Sequence, residues 1–101
     1  MNKFMMQQAQ KLQAQLLKAQ EELANLTVEA SSGGGAVKVV MNGQQQIQSV
    51  KISPEVVNPA DIEMLEDMVL TAVREAGVKA QEAAAKKMGG LTGGLKIPGL
   101  T

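Results

Sequence analysis

Apolar residues stand at Met5, Ala9, Leu12, Leu16, Ala19, Leu23 and Leu26, at intervals alternating between four and three. That spacing is the seam of an amphipathic helix with a heptad repeat. The segment holds no Gly or Pro and is rich in Gln, Ala, Leu, Lys and Glu, all good helix formers. Asn2 is placed to cap its start. Three heptads are too short for an independent rod, so the seam predicts packing against a partner helix.

The period then changes from helical to alternating. Leu26-Thr27-Val28-Glu29-Ala30 reads as a strand that ends in Ser31-Ser32-Gly33-Gly34-Gly35, a flexible connector. Val37, Val39 and Met41 form a second strand leading into Asn42-Gly43, a strong hairpin signal. Gln44 to Ser53 returns as a third, with Ile47 out of phase with Val50 and Ile52. The mismatch predicts a bulge or twist near Gln48-Ser49.

Asn58-Pro59-Ala60-Asp61 predicts a helix entry, with Asn58 as N-cap, Pro59 at the first helical position and Asp61 as the reciprocal cap. Ile62, Leu65, Val69, Ala72 and Ala76 give the inner stripe, widened by Met64, Met68 and Val73. Past Gly77 only alanines keep the period, so the distal part is expected to bury little and to project beyond the sheet. A helix from Pro59 to Met88 would run about 45 Å, with Gly89-Gly90 as its stop.

These elements predict an α+β fold of order α-β-β-β-α, with a three-stranded antiparallel sheet and two long helices. Residues 1–88 would form one domain and 89–101 a flexible Gly-rich tail. The two apolar helix faces exceed what one small sheet can cover. Leaving either in water would forfeit several kcal/mol at ~25 cal/mol per Å², so a homodimer is expected.

Composition narrows the chemistry. The sole aromatic is Phe4, and Cys, His and Tyr are absent. Disulfides and thiolate zinc sites are excluded, and the commonest general base and metal ligand are missing. An enzyme is not expected, nor a cofactor, a metal or a small-molecule substrate. Glu63 and Asp67 have i, i+4 spacing, but hard-cation sites gather ligands from several segments, and a solvated helix face explains them. Gly33-Gly34-Gly35 lacks the Lys-Ser/Thr sequel of a phosphate loop. No stretch approaches the ~20 apolar residues of a membrane span. Lysines and glutamines interrupt the N-terminal segment, unlike a secretory leader, so a cytoplasmic protein without a membrane partner is expected.

Charge is uneven although the formal net charge is zero. Asp61, Glu63, Glu66, Asp67 and Glu75 oppose Arg74 in the first part of the second helix, whereas Lys79, Lys86, Lys87 and Lys96 oppose Glu82 from Val78 onward. The helix macrodipole favours that order by ~0.3–1 kcal/mol per charge; an anionic partner would favour it too. Lys79 and Lys86 share a helix face, with Lys87 beside them. In the first helix Gln7, Gln8, Lys11, Gln15 and Lys18 share a polar face. Lysine and glutamine suit phosphate and sugar contacts that carry little base information, and a solvated face is the competing explanation. Stacking aromatics are lacking, which disfavours single strands and RNA loops and leaves duplex DNA as the nucleic-acid candidate. Neutrality and a pI of 6.2 imply a modest electrostatic footprint. A dimeric helical adaptor or chaperone-like protein would carry similar seams; DNA binding would weaken steeply with salt, helix docking would not.

Word order adds a resemblance. Met5-Met6-Gln7-Gln8-Ala9-Gln10-Lys11 through Glu21-Glu22-Leu23, then Gly34-Gly35-Ala36-Val37-Lys38-Val39, then Met64-Leu65-Glu66-Asp67-Met68 and Ala83-Ala84-Ala85-Lys86-Lys87-Met88-Gly89-Gly90-Leu91-Thr92-Gly93-Gly94-Leu95 together resemble the YbaB/EbfC family of bacterial nucleoid-associated proteins. The resemblance covers essentially the whole chain. It implies a DNA-binding homodimer of the nucleoid, with helices projecting from a central dimer like the jaws of tweezers. Under that reading Lys3, Lys11, Lys18, Lys79, Lys86, Lys87 and Lys96 are the expected phosphate contacts.

Overall fold

The computed structural model describes residues 2–91. Helix α1 (Lys3–Asn25) leads into strands β1 (Thr27–Ser32), β2 (Val37–Asn42) and β3 (Ile47–Ile52), and helix α2 (Ile62–Leu91) closes the order. The sheet order is β1-β2-β3 with both pairs antiparallel, as the pattern predicts.

Alternation along the strands creates a two-faced sheet. Val28 pairs with Met41, Ala30 with Val39 and Ser32 with Val37; across the next ladder Val39 pairs with Val50 and Val37 with Ile52. These residues share one face, while Glu29, Ser31, Lys38 and Lys51 take the other. α2 lies over β1 and β2 on the apolar face. Val37, Val39, Ala72, Ala76 and Ala80 have no exposed surface, and Ala30 and Met41 almost none. Small residues every fourth position let the helix approach the sheet closely. Ala80 corrects the expectation that the contact fades past Gly77: alanine suffices there because the backbones are near.

The out-of-phase Ile47 is resolved by a bulge. Val40 pairs with Ser49 and Met41 with Ile47, so Gln48 is the unpaired extra residue, close to the expected place. Ile47 thereby rejoins the register of Met41.

Asn42-Gly43 does mark the hairpin, but the loop is longer than a two-residue turn. The Asn42 N–H donates to the Gln46 carbonyl at 3.0 Å, and the left-handed position falls on Gln45, with φ 61°. Asn42, 2% exposed, organises the loop: its Oδ1 accepts from the N–H groups of Gln44 and Gln46, and its Nδ2 donates to Ala24 O and Gln46 Oε1. Gly43 serves another purpose. Its N–H donates to the carbonyls of Leu23 and Leu26, both at 2.9 Å, and a Cβ there would lie 2.8 Å from Leu23 O. Glycine is required by this close approach to the end of α1.

The connector after β1 is a turn with Gly33, Gly34 and Gly35 all at positive φ, closed by Ala36 N–H to Gly33 O at 3.3 Å. Ser32 Oγ donates to Met68 O at 2.5 Å, fixing this end of the sheet to α2.

Helix boundaries bring two corrections. Asn2 caps α1 as expected, its Oδ1 accepting from Met5 N–H at 2.8 Å. For α2, however, Asp61 takes the capping role, its Oδ1 accepting from Met64 N–H at 3.3 Å. Asn58 instead closes the preceding turn, accepting from Ala60 N–H at its side chain and from Asp61 N–H at its carbonyl. At the other end the helix passes through Gly89 and Gly90 to Leu91. Gly89 does not take the left-handed conformation that would end it; glycine weakens a helix by roughly 0.5–1 kcal/mol but stops one only where that turn forms. The remainder of the expected tail, residues 92–101, lies outside the described residues.

Candidate nucleic-acid interface

α1 stands clear of the sheet. Every residue from Asn2 to Lys18 is exposed, and only Ala19 and Leu23 of its seam are buried. The seam expected to pack along its length is thus covered, within one chain, only at its last positions. Met5, Leu12 and Leu16 remain open to solvent. The molecule is correspondingly long, 69 × 26 × 17 Å.

The exposed arm is also one-sided in charge. Lys3, Lys11 and Lys18 lie within the first twenty residues, which contain no Asp or Glu. A chain with zero formal charge therefore carries a purely basic rod. All three lysines are exposed, and Lys11 lies with Gln8, Ala9, Leu12 and Gln15 along a shallow groove of α1.

On α2 the candidate lysines divide. Lys79 Nζ donates to the Glu29 carbonyl at 2.9 Å, where it covers the open edge of β1. Lys87 Nζ lies 3.1 Å from Glu22 Oε2, both side chains about two-fifths exposed. Such a surface pair contributes little to stability, ~0–1 kcal/mol, but it brings the end of α2 beside α1. Glu22 is one helical turn after Lys18, so the ion pair sets Lys86 and Lys87 beside the last turns of α1. Lys86 is exposed; Lys96 lies outside the described residues.

Two features of the setting were not foreseen from the residues. The loop after β2 braces both helices: Gln44 Nε2 donates to Gln20 O at 3.1 Å and Gln45 Nε2 to Gly77 O at 3.3 Å. Glutamines in a turn signal nothing specific, so only the folded chain reveals this. The second is an apolar groove lined by Ile52, Leu65, Val69, Leu70 and Val73, with Glu66 at its rim. Val50 and Ile52 pair directly with Val39 and Val37 yet remain exposed, because α2 covers β1 and β2 and leaves β3 bare. Alternation could show that β3 has an apolar face but not which strand the helix would miss.

Among the described residues no group of three or more His, Cys, Asp or Glu could hold a metal ion, and no helix is long and apolar enough to cross a membrane. Glu63 and Asp67 are exposed on the first turns of α2.

Fold and surface together define a class: a small α+β protein with a half-covered sheet and a basic helical arm reaching away from it. The chain belongs to the YbaB/EbfC DNA-binding family, whose sequence profile matches residues 1–95. A nucleoid-associated protein of Pelotomaculum thermopropionicum is 58% identical over 96 residues, covering 95% of this chain and 91% of that one. Another, from Desulforamulus reducens, is 58% identical over 100 residues, covering 99% and 94%. The crystal structure of an uncharacterized protein from Helicobacter pylori shares the fold with a TM-score of 0.78 at 16% identity, over 90% of this chain and 97% of that one.

Proposed function

We propose that this protein binds duplex DNA as a homodimer, mainly through the phosphate backbone and with little dependence on base sequence, and so acts on nucleoid organisation or gene expression. The observation that carries the reading is the exposed, acid-free arm of α1 with Lys3, Lys11 and Lys18, in a chain of a DNA-binding family. Lys86 extends the basic surface at the shared end of the helices. Lys79 and Lys87 must give up or share their intramolecular contacts to reach a phosphate, so they are the weaker contributors; Lys96 completes the proposed set.

The bare apolar groove over β3 and the flank of α2 supports the dimer. A second copy seated on it would remove Val50, Ile52, Val69 and Leu70 from water and double the basic arms without adding acid to them. Lysine and glutamine on those arms would hold phosphates and sugars, which position a duplex without reading it. Location in the nucleoid follows from such binding and agrees with the names of the relatives.

A mobility-shift titration on several unrelated duplexes, with competitor DNA, tests this. Similar affinities for all of them are expected, lowered together by Lys86→Glu with Lys87→Glu while the dimer and its helix content persist. The competing reading draws on the exposed Met5, Leu12 and Leu16 of α1, a face suited to another protein's helix. Unchanged DNA binding in lysine variants, or none by the parent, would favour that reading.

A further inference from the structure

Phe4 is the only aromatic residue of the chain and, at 67% exposed, the most exposed large apolar residue among the described residues. A single apolar side chain in water is ordinary; its position is what singles this one out. It lies in the first turn of α1, at the free tip of the projecting arm. Phe4, Lys11 and Lys18 recur every seventh residue, so they fall in one row along the helix. At about 1.5 Å per residue the row spans roughly 21 Å. Gln7 and Gln15 flank it. The apolar seam of Met5, Leu12 and Leu16 is centred roughly a third of a turn away at 3.6 residues per turn. Phe4 is therefore placed with the basic face and apart from the surface suited to a second helix.

We infer that Phe4 is a wedge that each α1 arm inserts between adjacent base pairs of the duplex held by its lysines; this rests on the DNA-binding reading above. The partner chemistry is set by two features in one row: cations that match phosphates, and a flat apolar ring that matches the exposed face of a partly unstacked base pair. Apolar side chains used in this way open a base step and kink the duplex. The cost is lowest at flexible pyrimidine–purine steps such as TA. Two arms on one dimer would place two such kinks in the DNA between them. A protein that reads few base edges thus acquires a means of bending what it binds.

The test uses the full chain and duplexes of about 20–30 base pairs with 2-aminopurine at a central TA step, plus end-labelled versions that report bending by energy transfer. At saturating protein the parent should raise the 2-aminopurine emission and shorten the end-to-end distance. Phe4→Ala should abolish both signals and weaken binding about a hundredfold, at roughly tenfold for each of the dimer's two stacking contacts, with the salt dependence unchanged. Phe4→Leu, which keeps an apolar wedge, should retain both. Circular dichroism should report the same helix content in all three, because the side chain is in solvent. A parent that saturates the duplex without changing the 2-aminopurine emission, or a Phe4→Ala variant that changes it equally, overturns the wedge and leaves the phosphate contacts standing. A parent that binds no duplex at low salt overturns both the wedge and the reading beneath it.

Discussion

Asn42 and Gly43 together hold the β2–β3 loop against the end of α1, through hydrogen bonds to Gln44, Gln46, Leu23, Ala24 and Leu26. Asn42 and Gly43 were legible as a hairpin because that dipeptide tolerates tight turns. Their larger role is to seat the end of α1, through contacts between residues far apart in sequence, and no local pattern records such a role. Gly43→Ala should therefore destabilise the fold by roughly 1–3 kcal/mol, since the added methyl meets the Leu23 backbone; urea unfolding measures the loss. Asn42→Ala leaves the N–H groups of Gln44 and Gln46 short of an acceptor and should cost about 2 kcal/mol in the same assay. The lysines divide likewise. Charge order alone made Lys79 and Lys87 equal to the rest, but Glu29 O and Glu22 hold them. Lys79→Ala should accordingly lower duplex affinity less than Lys11→Ala, by direct comparison in a binding titration.

At the scale of elements, periodicity showed where each helix and strand lies, and it located the bulge because one residue fell out of phase. It misjudged the ends of α2. Asn58-Pro59 and Gly89-Gly90 are strong punctuation, yet Asp61 makes the capping hydrogen bond and the glycines stay helical. Asp61→Ala should lower stability by about 1 kcal/mol in thermal unfolding, and Asn58→Ala by less. Periodicity was also silent on coverage. α2 is one helix over three strands, so one strand must remain bare, and the choice of β3 depends on the approach allowed by Ala72, Ala76 and Ala80. The exposed Val50, Ile52 and Leu70 follow from that choice. Val50→Asp with Leu70→Asp should dissociate the proposed dimer at micromolar concentration, read by sedimentation velocity. Because neither side chain is buried in the protomer, its helix content should survive.

For the whole molecule, net charge misleads. Ten basic and ten acidic residues cancel on paper, but none of the acids lies in the first twenty residues, which include the projecting part of α1. A neutral protein can then present strongly basic arms, and dimerisation would repeat them. The central claim is that these arms hold the phosphates of a duplex, and the salt dependence of binding reads it most directly. Fluorescence anisotropy titrations of a labelled duplex, repeated from low to physiological salt, give the slope of log affinity against log salt for the parent and for Lys11→Ala with Lys18→Ala. Each phosphate contact contributes about −0.9 to that slope. The double variant should therefore flatten it by up to about 3.6 for the four lysines lost from a dimer, with affinity falling for every sequence alike. A variant whose slope and affinity equal those of the parent would contradict the claim and move the function of α1 to its apolar seam.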